Sequence, residues 1–141
     1  MVRRTFVATA VAATAALTAG TAFAQGKEVK IGYALAVNSH YGAAANAWAE
    51  GVEKGTNGAY KFKQFPASAL GGERELIEGL QLGTVEAAIV STGALSNFVP
   101  DVGVVDIPFL FRDTQHARAV MDVAFGQELL AKFQKRGLIA L

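Results

Sequence analysis

Between Val29 and Val90 the hydrophobic period changes from alternating to helical and back twice over, with connections of only a few residues, and few folds accommodate that rhythm. Val29, Ile31 and Tyr33 alternate with Lys30 and Gly32, so Val29 to Leu35 reads as a strand. Asn38 and Ser39 then offer helix-capping side chains. From Tyr41, the apolar positions Ala44, Ala45, Trp48 and Val52 recur at helical spacing, with Asn46, Glu50, Glu53 and Lys54 on the other side. Gly55-Thr56-Asn57-Gly58 stops this helix. Tyr60 to Phe65 alternates again, and Pro66 closes that strand by removing a donor.

Leu70-Gly71-Gly72 is a turn, after which Glu73 to Leu82 places Leu76, Ile77 and Leu80 on one face and Glu75, Glu78 and Gln81 on the other. Gly83 supplies the left-handed stop. Val85 to Val90, uncharged after Glu86, reads as a strand covered on both faces, and Ser91-Thr92-Gly93 follows at its C-terminal end. Strand, helix, strand, helix, strand on short connections predicts an α/β fold, a parallel sheet with right-handed crossover helices. If all three strands are parallel, their outgoing turns gather on the one sheet edge where open α/β sheets put ligands.

Further along, Ala94 to Phe98 predicts a helical turn and Val102 to Ile107 an apolar segment. Pro108 to Phe111 makes a densely apolar corner whose phenylalanines, with Phe98, are expected to pack. Thr114 to Met121 and Gly126 to Arg136 read as helices, the second carrying Leu129, Leu130 and Phe133 on one side and stopping at Gly137. Leu138 to Leu141 reads as the start of a strand, so residues 25–141 are expected to be the first part of an incomplete parallel-sheet lobe.

The 141 residues suit one domain, and 52% hydrophobic with 18% charged residues excludes a disordered chain. Without Arg3 and Arg4 the balance is 11 basic to 12 acidic residues, and the basic ones are scattered, so no nucleic-acid partner is expected. The short Lys132, Lys135, Arg136 group suits a helix C-terminus. With no cysteine and two histidines far apart, His40 and His116, no metal centre is expected. Met1 to Ala24 has a basic start, an uncharged run and Ala22-Phe23-Ala24, the pattern of a cleaved export signal. Arg3-Arg4 leaves the general or the twin-arginine route open.

The glycine turns at Gly71-Gly72 and Thr92-Gly93 fit neither phosphate-binding pattern, and no cofactor is expected. His40, Ser39 and the carboxylates Glu73, Glu75 and Glu78 have no sequence reason to converge into a catalytic set. Glu75 and Glu78 read as a solvated pair. Glu73 is favoured in a first helical turn by the dipole alone, but its turn also belongs to the ligand edge of the predicted sheet.

The run GGERELIEGLQLGT, the strand ending in STGALSNFVP, and VVDIPFLFRD, in this order and spacing, together resemble the periplasmic solute-binding subunit of tripartite ATP-independent periplasmic (TRAP) transporters, in the DctP-type dicarboxylate-binding branch. The resemblance covers nearly all of Lys27 to Leu141. It implies a lobe of a two-lobed periplasmic binding protein that captures a small organic acid, a carboxylate or dicarboxylate, and passes it to small and large integral permease subunits without catalysis. By position it implies a cleft formed by Ala34 to Ser39, including Asn38 and Ser39, by Glu73, and by Ser91 with Thr92. The family's carboxylate-pairing arginine lies downstream of the position matching Leu141. Sialic-acid-binding members have a polar side chain where Ala34 stands and a carboxylate where Ser91 stands, a departure that points away from sugar acids. The alternative is an exported α/β enzyme or a ligand-sensing domain whose functional residues lie elsewhere.

Overall fold

The computed structural model describes residues 26–141; the export signal expected over residues 1–24 lies outside them. The chain runs β1 (Lys27–Tyr33), α1 (His40–Gly55), β2 (Tyr60–Phe65), α2 (Glu73–Leu82), β3 (Ala87–Ile89), α3 (Thr92–Leu95), a 3-10 helix (Pro100–Asp106), α4 (Thr114–Met121) and α5 (Ala124–Gln134). The sheet has the order β2-β1-β3, with β1 parallel to both neighbours. Lys27 to Gly32 registers with Tyr60 to Phe65, and Ile31 to Tyr33 with Ala87 to Ile89.

The two faces of β1 go to different helices, as a period of two requires. Ile31 and Tyr33 are fully buried with Ala45 of α1 and Ala87 of β3, flanked by Trp48 and Phe62 packed edge to face at 4.8 Å. On the other face, Gly32 lies under Leu76 of α2, and a Cβ at Gly32 would come within 2.5 Å of Leu76 Cδ2. The chain steps from β1 to β2 with α1 on one face, then back across β1 to β3 with α2 on the other. Direction and face reverse together, so both crossovers share one hand. A second core joins Ile77 of α2 to Val99, to Val102 of the 3-10 helix, and to Leu129, Phe133 and Leu138.

Local signals fix the element ends. Ser39 Oγ accepts from Gly42 N at the start of α1, Gly83 ends α2 at φ 72°, and Asp113 Oδ1 accepts from His116 N at 2.7 Å to cap α4. Lys132 of α5 pairs with Asp101 at 2.7 Å.

Several expectations need correction. β1 begins at Lys27 and ends at Tyr33, because Leu35 already belongs to the turn. The third strand shortens to Ala87–Ile89, the only part that finds a partner on β1. The helical turn falls at Thr92–Leu95, starting two residues earlier than expected, because Ser91 caps it, and the apolar stretch after it winds into a 3-10 helix that buries Val102. Leu138 to Leu141 forms no strand: after the left-handed Gly137 (φ 72°), Leu138 turns into the second core, while Ile139 and Leu141 remain exposed beside an apolar hollow of about 550 Å³ along β3. Phe109 does not pack; its φ of 61° turns the side chain fully into solvent. Phe98 does join the second core.

Ile31 is the clearest test of the sheet. Ile31→Ala is expected to cost about 2–5 kcal/mol, whereas Lys61→Ala, exposed on β2, should stay within about 0.5 kcal/mol. Urea unfolding of the two variants beside the parent checks this.

Candidate ligand site at the sheet edge

With strand order β2-β1-β3, the chain leaves β1 toward one face and β3 toward the other, and it is beyond the C-terminal strand ends at such a switch point that open α/β sheets form their ligand crevice. The β1–α1 turn contributes Ala34 to Ser39 and the β3–α3 turn contributes Ser91 and Thr92. The β2–α2 loop is tied to the first of these by Ala67 N donating to Leu35 O at 2.8 Å and Ser68 N to Tyr33 O at 3.2 Å. Both Ala67 (φ 53°) and Ser68 (φ 57°) are left-handed without being glycine, a conformation that these two bonds hold in place.

Glu73 sits where the three turns meet. Its Oε1 accepts from Ser91 N at 3.0 Å and from Tyr41 Oη at 3.3 Å, and its Oε2 accepts from Ser91 Oγ at 2.5 Å. One carboxylate at the start of α2 thereby fastens the first turns of α1 and α3. The α2 dipole favours the same charge there. Burial first, then the Glu73 charge, then its hydrogen bond to Tyr41, raise the Tyr41 phenol above its ordinary value of 10.0.

The expected site residues divide by what their atoms are doing. Ser91 is engaged through N–H and hydroxyl with Glu73, and its Oγ also accepts from Ala94 N at 3.3 Å. Thr92 Oγ1 donates to Asp106 Oδ1 at 2.5 Å. Ser39 is the cap of α1, and Asn38 stands exposed in the turn before it. Glu73 and Ser91 come together directly and Thr92 follows Ser91 in the chain, while Ser39 and Asn38 lie on the β1–α1 turn with no bond to them. Sequence reasoning missed Tyr41 and Asp106. Tyr41 was visible only as a helix-start residue, and no local signal joins Asp106 to a threonine 14 residues earlier.

The model of the bacterial extracellular solute-binding protein family 7 (DctP) matches residues 31–141. A solute-binding protein of Verminephrobacter eiseniae is 50% identical over 113 residues, which cover 80% of this chain and 34% of that protein. The solved TRAP periplasmic solute-binding protein of Polaromonas sp. JS666, bound to D-erythronate, is 57% identical with a TM-score of 0.77 over 80% of this chain and 37% of its own. That of Bordetella bronchiseptica, with density assigned to pantoate, is 60% identical with a TM-score of 0.79 over 81% of this chain and 38% of its own. The chain thus spans about a third of the length of these relatives.

Two measurements test the edge. Glu73→Ala removes the acceptor of the Ser91 N–H and is expected to cost about 1–3 kcal/mol. Because the folded state holds Tyr41 protonated beyond pH 10, where the unfolded chain already loses that proton, its contribution is complete below pH 10 and disappears as pH rises through the folded value. In Tyr41→Phe that alkaline loss should be smaller, as followed by stability measured at stepped pH. With its match to the family model over residues 31–141, the chain belongs to the DctP family of bacterial extracellular solute-binding proteins.

Proposed function

We propose that this chain supplies the first-lobe part of a TRAP transporter's solute-binding protein. It captures a small hydroxylated organic acid in the periplasm and delivers it to the small and large integral permease subunits, with no reaction catalysed. The carrying observation is the 57% and 60% identity to two solved relatives, one bound to D-erythronate and the other with density assigned to pantoate. The crevice beyond β1 and β3 supports this reading, because it gathers Asn38, Ser39, Glu73, Ser91 and Thr92 on the edge where open α/β sheets hold ligands. D-erythronate is itself a sugar acid, so the departures at Ala34 and Ser91 from sialic-acid binders bear on that ligand and not on short aldonic acids. Capture works as a population shift: a ligand touching this edge and the remainder of the protein favours the arrangement in which both are close.

Calorimetric titration of the full-length protein is expected to show one-site binding of D-erythronate or pantoate. Binding of a neutral sugar or an amino acid in preference to any organic acid would remove the reading. Export is part of the same proposal, with cleavage between Ala24 and Gln25. The intact mass of protein released from the periplasm should correspond to a chain starting at Gln25, and a mass retaining Met1 would contradict it.

A further inference from the structure

The side-chain hydroxyls of the β3–α3 turn, and the N–H of Ser91, are already spent. Ser91 gives both its N–H and its hydroxyl to Glu73. Thr92 gives its hydroxyl to Asp106, and Tyr41 gives its phenol to Glu73. α3 is a single turn of four residues, too short to build an anion site of its own. This edge therefore presents two carboxylates, tied to the consecutive residues Ser91 and Thr92, with the neutral Asn38 and Ser39 on the β1–α1 turn. Among the described residues the ion pairs are Lys30–Glu86, Lys54–Glu50, Arg74–Glu78 and Lys132–Asp101, none of which neutralises Glu73 or Asp106.

The two carboxylates also keep acceptor capacity. A carboxylate has about four lone-pair positions. Glu73 Oε1 already receives two donors, and Oε2 receives one. Asp106 uses Oδ1 for Thr92, while its Oδ2 lies over Gly93, where a Cβ would sit 3.9 Å away. Glu73 Oε2 and Asp106 Oδ2 are thus left to accept from a ligand. A ligand hydroxyl can donate to either. A second ligand carboxylate has no proton to donate and adds like charge to a wall that has no cation on it.

On the reading that the ligand occupies this crevice, we propose that Glu73 and Asp106 are specificity determinants which select a hydroxy monocarboxylate over a dicarboxylate. The hydroxyl-bearing end of the ligand lies against Glu73 Oε2 and Asp106 Oδ2. The single carboxylate is taken by groups outside residues 26–141. Both ligands of the solved relatives have this form, one carboxylate with hydroxyls along the chain.

The test compares D-erythronate with meso-tartrate, the same carbon skeleton with the terminal CH2OH oxidised to a carboxylate, by calorimetry on the full-length protein. meso-Tartrate is expected to bind at least tenfold more weakly. Asp106→Asn and Glu73→Gln should each narrow that ratio severalfold, chiefly by strengthening meso-tartrate, and added salt should narrow it too by screening the exposed charges. Glu78→Gln, on the outer face of α2 and paired with Arg74, should leave the ratio where it was. Should Glu73→Gln fail to fold, the exposed Asp106→Asn and the parent comparison still decide. Equal or tighter binding of meso-tartrate by the parent overturns the proposal while leaving organic-acid binding intact, as does a ratio that neither charge-removing variant moves. Absence of binding by either acid overturns this proposal and the proposed function together.

Discussion

The structure depends on β1 being buried on both faces and paired on both edges. Ile31 and Tyr33 face α1 while Gly32 faces α2, and neither arrangement survives a shift of one residue, since that would push Ile31 toward Leu76 and leave Gly32 facing Ala45. The register with β2 and β3 is therefore set by which side chains fit which helix. From that register the rest follows: strand order β2-β1-β3 places the reversal of chain direction between β1 and β3, and the reversal opens the crevice. The edge proposed to hold the ligand is a by-product of burying β1.

A crevice made of three turns would be loose if each turn were held only by its own backbone. The Glu73 carboxylate replaces that looseness with cross-links. Its bonds run to Tyr41 in α1 and to Ser91 at the head of α3, elements on opposite faces of the sheet. Charge-assisted bonds are the stronger kind, and this set uses an acid whose position at a helix start is already favourable. With no cysteine in the chain, the turns are fastened by hydrogen bonds alone.

The sequence was most legible where punctuation and period agreed. Helix α2 was read to its end residues because Gly72 and Gly83 bracket an unbroken amphipathic run, and β2 because Pro66 stops it. Legibility failed where the outcome depends on a distant partner. Four apolar residues at Leu138 to Leu141 look the same whether they enter a ladder or a core, and here Leu138 enters the core. Phe109 reads as core by composition, yet a left-handed backbone turns it outward. At the site, sequence brought forward Glu73, Ser91 and Thr92 as separate turn residues. That Glu73 consumes the donors of Ser91, 18 residues away, follows only from the sheet order.

This consumption of donors changes what kind of recognition the edge can perform. Free hydroxyls and N–H groups would adapt to an arriving anion at the cost of being ordered by it; groups already bonded to each other lose little freedom when a ligand arrives. The remaining acceptor oxygens of Glu73 and Asp106 are held by the same bonds, so a ligand meets a surface whose charge and geometry exist before binding. Affinity from such a surface is modest, because each hydrogen bond contributes only about 1 kcal/mol. Its discrimination is larger, because a ligand group of the wrong charge finds no neighbour that can move to accommodate it. On the proposal that a ligand binds here, the same hydrogen bonds that close the fold at this edge decide which end of that ligand can face it.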